Sequence, residues 1–183
     1  MAQGCRLPHM TTRRSFLVVG LAGGAALAAT YWLRRTRGRE AASAAETALA
    51  ALDPAAPAIV AAIVSVMLDG ALPADRHTAV TETVANVARA VSGLAPNAQK
   101  ELGELFSLLG LPPTRVALAG VMTPWADASP EAVAAFLERW RTSRWMLLRS
   151  AYDALHQLVF AAWYGNPRAW PSIGYPGPPV IAQ

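Results

Sequence analysis

The chain has a single cysteine, Cys5, and only three histidines, His9, His77 and His156. One cysteine excludes an internal disulfide and a thiolate metal site. Cys5 precedes the arginine pair Arg13-Arg14, whereas a lipoprotein cysteine would follow the apolar run. The histidines stand far apart, with no His-x-x-x-His pair and no carboxylate at ligand spacing, so no metal ligand is expected. Nothing resembles a glycine-rich phosphate loop, Gly23-Gly24 belonging to the leader, and no Gly-x-Ser-x-Gly elbow occurs. Asp153 and His156 are the one neighbouring acid–base pair, and at i, i+3 on a helix they read as a local structural pair. No repeat, heptad run or strand pattern is present. No catalytic, cofactor-binding or metal-binding residue is therefore expected.

Charge is also scarce, and it is unevenly placed. The net charge is +4. Residues 1–40 hold seven arginines and one acid, Glu40, a net +6; residues 41–183 hold nine basic and eleven acidic residues, a net −2. The basic excess lies wholly in the first 40 residues, so the remainder carries no footprint for nucleic acid.

What the first 40 residues do contain is Arg13-Arg14-Ser15-Phe16-Leu17, followed by an uncharged run from Ser15 to Trp32. This is the layout of a twin-arginine export signal, which carries folded proteins out of the cytoplasm. Met10 would give a tighter leader as an alternative start. Ala26-Leu27-Ala28 supplies a small-x-small cleavage site. Against cleavage, Tyr31 and Trp32 resemble interface residues, and Arg34, Arg35, Arg37 and Arg39 follow them. Both fates stay open: a removed signal peptide, or an N-terminal membrane anchor. A simple anchor with an accidental arginine pair is the plainer alternative.

About 140 residues remain after the leader, enough for one small domain. They are alanine-rich and apolar, a composition of packed helices. Residues 41–52 and 55–68 read as helices, the second with Ile59, Ile63, Val66 and Met67 on its core face, and Asp53 is placed to cap it. Asp75 is placed to cap a helix over 76–93 lined by Val80, Val84, Val87 and Val91. Leu102, Leu105, Phe106 and Leu109 predict another over 97–109, with a short helix at 113–121 and a loop at 124–128. Ser129-Pro130-Glu131 supplies an N-cap, a first-turn proline and an acid at the positive helix end. One long helix is expected over 130–163, central in the bundle. Val133, Phe136, Leu137, Trp140, Leu147, Ala151, Leu155 and Leu158 lie on one face. A second line holds Trp145, Arg149, Tyr152, His156, Phe160 and Trp163; its mixture of Arg, His and large aromatics is that of interface hot spots, although core packing would produce it too.

The expected architecture is all-α: residues 1–40 as signal or anchor, a helical domain over 41–164, and an extended segment over 165–183. That last segment breaks the helix at Gly165-Asn166-Pro167 and is rich in proline, glycine and aromatics. Proline favours extended chain with few internal hydrogen bonds, so the segment must lie on a surface. Trp163, Tyr164, Gly165, Asn166, Pro167, Trp170, Gly174, Tyr175, Pro176, Gly177 and Pro178 are candidates for partner binding. Packing on the chain's own bundle is the alternative, and both hold if Trp163 and Trp170 face inward and Tyr175 onward faces a partner.

Three stretches, Arg149-Ser150-Ala151-Tyr152, Phe160-Ala161-Ala162-Trp163-Tyr164-Gly165-Asn166-Pro167 and Ile173-Gly174-Tyr175-Pro176-Gly177-Pro178-Pro179, resemble the C-terminal signature of the gluconate 2-dehydrogenase subunit 3 family. The resemblance is close over 145–179, loose over 13–40, and one of helical character alone over 41–148. It implies a non-catalytic gamma subunit of a membrane-associated dehydrogenase. Such a subunit binds a large FAD-containing subunit of the glucose–methanol–choline type, assists its maturation and supplies the twin-arginine signal for both. The destination implied is the periplasm, the partners the export machinery, the membrane through the N-terminal segment and often a c-type cytochrome. No Cys-x-x-Cys-His occurs, so no haem is expected in this chain itself. A stand-alone periplasmic helical binding or scaffold protein is the alternative.

Overall fold

The computed structural model describes residues 47–178. The chain divides into two units, residues 1–40 and 41–183. The export residues Arg13, Arg14, Ser15, Phe16 and Leu17 lie outside the described residues. Within them the protein is all-α, with no strand.

Residues 47–52 are helical and lead into α1 (Ala56–Met67). Asp53 shapes the junction: its Oδ1 accepts from the Ala55 amide at 2.8 Å, and its Oδ2 accepts from the Ser107 hydroxyl at 2.9 Å. One carboxylate thus fixes the start of α1 and ties it to the third helix. α1 carries no charged residue, and Ala56, Ile59, Val60, Ile63 and Val64 are buried. A helix apolar on several sides belongs inside a bundle. α1, rather than the 130–163 segment, occupies the centre: it packs against α2 (Arg76–Ser92), α3 (Pro96–Gly110), α4 (Pro130–Arg141) and α5 (Met146–Tyr164).

α2 buries Val84, Val87 and Val91, with Val80 half-buried at its edge. Asp75 makes no capping bond; its carboxylate turns to Arg168 instead. α3 buries Phe106 and Leu109, and Leu102 and Leu105 pack at the core margin. Where one short helix was expected, a turn at Pro112–Thr114 runs into a π-helix, Arg115–Ala119, closed by Gly120 at φ 64°. The expected loop holds a 3-10 turn, Trp125–Asp127. It buries Trp125, whose indole N–H donates to the Leu109 carbonyl at 2.7 Å. Trp125, Phe136 and Trp140 form an edge-to-face stack with centroids 5.6 and 4.7 Å apart, the favoured aromatic geometry.

Ser129 caps α4 as its sequence predicts, accepting from the Ala132 amide at 3.2 Å. The expected single helix over 130–163 is two helices. Thr142 ends α4, with its hydroxyl donating to the Glu138 carbonyl at 2.8 Å. Ser143 Oγ accepts from the Trp145 amide at 3.1 Å, and the Ser143 carbonyl accepts from the Arg149 guanidinium. Ser and Thr hydroxyls offer the backbone alternative partners, and here Ser143 supplies the Trp145 amide with a side-chain acceptor at the start of the next helix. The break resets the helical phase. Leu147, expected on the core face, is 78% exposed, while Leu155 and Val159 carry the buried face of α5.

Candidate functional site

Two neighbouring features hold the candidate partner-binding residues: the C-terminal turn and the exposed side of α5.

The C-terminal turn is folded against its own bundle. Gly165 and Asn166 end α5, and Pro167–Ile173 forms a 3-10 helix where extended chain was expected. The Asn166 side chain accepts from the Arg168 amide at 3.0 Å, which initiates the turn. Arg168 then reaches α2, pairing with Asp75 and, at 2.9 Å, with Glu82. Its hydrogen bond to Asp75 holds that carboxyl below the usual aspartate range. Asn86 on α2 donates to the Ala162 carbonyl at 3.2 Å, and Ala169 is buried. Polar clamps on both sides of the break therefore join the turn to α2.

Trp170 organises the rest of the turn. Its indole N–H donates to the Tyr164 carbonyl at 3.0 Å, its carbonyl accepts from the Tyr175 amide at 3.0 Å, and its ring meets Tyr175 edge-on at 5.2 Å. Gly174 has φ 66° and Gly177 has φ 102°, a region that side chains with a Cβ rarely adopt. At Gly177 a Cβ would also stand 3.1 Å from the Trp170 ring. The Ile-Gly-Tyr-Pro-Gly spacing is thus a wrapping of backbone around one tryptophan. Tyr175 and Pro176 are exposed at its surface. Trp163 departs from the candidate set: it is 1% exposed and belongs to the core.

Along α5, Tyr152, His156, Phe160 and Tyr164 form a ladder with centroids 5.8, 4.1 and 5.7 Å apart. His156 stacks nearly parallel on Phe160, at 21°, and no hydrogen bond joins it to Asp153. Tyr152, His156 and Phe160 line a groove of about 230 Å³ with Met67, Leu137 and Arg141. A second, wider groove of about 450 Å³ runs along Asn86, Arg89, Ala161, Gly165, Asn166 and Pro167. Its lining also includes the small residues Ala90 and Ala162.

Three strongly exposed apolar residues stand in succession at the N-terminal end of α5, Trp145 at 66%, Met146 at 73% and Leu147 at 78%; Met122, at 75%, is exposed elsewhere. Sequence periodicity singled out Trp145 but missed its two neighbours, because an unbroken helix places Leu147 inside. The Thr142-Ser143 pair was the signal that could have exposed the break. Arg168, the clamp of the C-terminal turn, was missed because its partners lie far away in sequence.

Among the described residues no group of three or more His, Cys, Asp or Glu is placed to hold a metal ion, and no helix is long and apolar enough to cross a membrane. No protein-family model, curated protein or solved structure matches the chain.

Proposed function

We propose that this protein is the non-catalytic small subunit of a periplasmic, membrane-associated FAD-dependent dehydrogenase of the glucose–methanol–choline type. In this reading it assists maturation of the flavin subunit and carries it out through its own twin-arginine signal, Arg13-Arg14. FAD belongs to the partner; this chain contributes binding surface and an address. A c-type cytochrome is a further partner in such a complex.

The observation that carries the reading is the C-terminal signature from Gly165 to Pro178. Its resemblance to the gluconate 2-dehydrogenase subunit 3 family rests on residues with specific conformational work. Two glycines sit at positive φ, and Trp170 is enclosed by Tyr164, Tyr175 and Gly177. The residues that carry the resemblance are thus also the ones that build this local geometry. The leader supports the same reading, since twin-arginine export suits a subunit that travels with a folded, flavin-loaded partner.

The test is purification of the C-terminally tagged full chain from its own periplasm and membranes, with a visible absorbance scan and mass spectrometry. The expected result is a flavin spectrum and co-purification of a dehydrogenase subunit lacking its own export signal. A colourless protein recovered alone overturns the reading.

A further inference from the structure

The sequence points to the Pro/Gly/aromatic segment as the docking element, but the structure has already used much of that segment. Arg168 is engaged by Asp75 and Glu82, Trp170 by Tyr164 and Tyr175, Ala169 and Trp163 by the core. The large apolar side chains left most open are elsewhere. Trp145, Met146 and Leu147 succeed one another at the α4–α5 corner, each about two-thirds exposed or more. Three large apolar side chains exposed at one corner, pointing in successive directions around the helix start, mark a candidate interaction site.

The surroundings give that patch a sign. Residues 138–149 contain Arg139, Arg141, Arg144 and Arg149 against one acid, Glu138, a net +3 within a domain that is otherwise net negative. Glu138 is taken by Arg141 at 2.8 Å. Arg149 donates to the Ser143 carbonyl and Arg139 to the Ala119 carbonyl, both neutral acceptors. Arg144 is exposed and meets no carboxylate among the described residues. The corner thus joins a knob of exposed apolar side chains to Arg144, which meets no carboxylate, and Arg149, which meets only a neutral acceptor.

The shape beside the knob selects the kind of partner. Trp145, Arg149, Tyr152 and His156 lie along one stripe of α5, so the Trp145 side of the knob leads toward the groove lined by Tyr152, His156 and Phe160. A convex apolar tip alone would suit a flat lipid surface. A tip that leads toward a concave aromatic groove suits another protein, which can present a pocket to the knob and a ridge to the groove.

We propose that the α4–α5 corner, with the Tyr152–His156–Phe160 groove, is the principal docking surface for the flavin subunit. The partner element it fits is an apolar pocket and ridge rimmed by carboxylates. This assignment rests on the small-subunit reading above and names the surface that serves it; the C-terminal turn then acts mainly to hold α5 against α2.

The experiment uses the tagged full chain in its own cells and quantifies flavin subunit captured per mole of bait. Three variants are compared: W145A/L147A for the knob, Arg144→Glu for the charge beside it, and Tyr175→Ala for the exposed face of the C-terminal turn. Far-UV circular dichroism of each purified variant confirms the fold, and Met146→Glu is a second knob variant should the double one misfold. Loss of captured flavin subunit by about tenfold or more is expected for the knob and Arg144 variants, and a smaller loss for Tyr175→Ala. Capture should also fall as salt rises, as screened charge complementarity requires. Full capture by folded knob and Arg144 variants overturns the assignment while leaving the small-subunit reading intact. So does a knob variant that keeps the flavin subunit but loses membrane association, which would make the corner a lipid contact. Wild-type bait that brings no flavin subunit overturns the underlying reading itself.

Discussion

Trp140 and Trp163 are both 1% exposed, yet they are held by different means. The Trp140 indole N–H donates to the Leu118 carbonyl at 3.0 Å, joining α4 to the π-helix. The Trp163 indole N–H is buried without a partner among the described residues. A buried donor left unpaired costs roughly 1–3 kcal/mol, while a made bond contributes about 1. Replacing either ring with Phe removes similar apolar area but opposite polar terms. Trp163→Phe deletes a cost; Trp140→Phe deletes a bond and strips the Leu118 carbonyl of a donor. Urea unfolding should therefore show Trp140→Phe as the more destabilised of the two, by about 1–2 kcal/mol. Equal losses would mean that shape, not hydrogen bonding, sets the value of both tryptophans. Neither difference was legible in the sequence, where both residues read only as large aromatics on a helical face.

The elements show where local pattern is a sufficient guide. Ser129-Pro130-Glu131 predicts a helix start because cap, proline and acid act within one turn, and α4 begins there. The Leu102, Leu105, Phe106, Leu109 stripe marks the inward side of α3 for the same reason. Patterns fail where a distant residue competes. Asp75 has the sequence of a helix cap, but Arg168, 93 residues away, takes its carboxylate. The proline-rich segment reads as extended chain, yet Asn166, Arg168 and Trp170 each find partners that curl it into a 3-10 helix. That competition has a pH signature. The Asp75 carboxyl is held below the usual aspartate range, chiefly by its hydrogen bond to Arg168. A depressed folded value means the pairing contributes fully above the ordinary aspartate pKa of about 4. It is lost as pH falls through the lower, folded value. The Trp170 indole N–H resonance reports the state of the turn. At neutral pH it should differ between wild type and Arg168→Gln, and the two should converge once Asp75 is protonated in acid. A difference that persists unchanged into strong acid would show that Asp75 does not hold the turn.

At the scale of the whole molecule, the all-α class was legible because every apolar stripe has a helical period and none alternates. The order of helices around the core was not. α1 reads as one short helix among several, and only its lack of any charge hints that it lies at the centre. The candidate surface was half legible. Trp145, Arg149, Tyr152 and His156 share one stripe in sequence and in space, while Met146 and Leu147 emerge only because Thr142-Ser143 breaks the helix. The C-terminal turn has the reverse history: conspicuous as a motif, it is substantially a structural clasp. That balance can be measured by truncating the chain after Asn166. If the segment were only a docking arm, its removal would leave the bundle as stable as before. Instead the cut removes the Arg168 bridge to Asp75 and Glu82, the buried Ala169 and the Trp170 bond that ends α5. The truncated protein should keep most of its far-UV helical signal at low temperature but unfold several degrees lower, about 4–8 °C for each kcal/mol lost in a domain near 100 residues and somewhat less here. An unchanged midpoint would return the segment to the role its sequence first suggests, an arm held out for a partner.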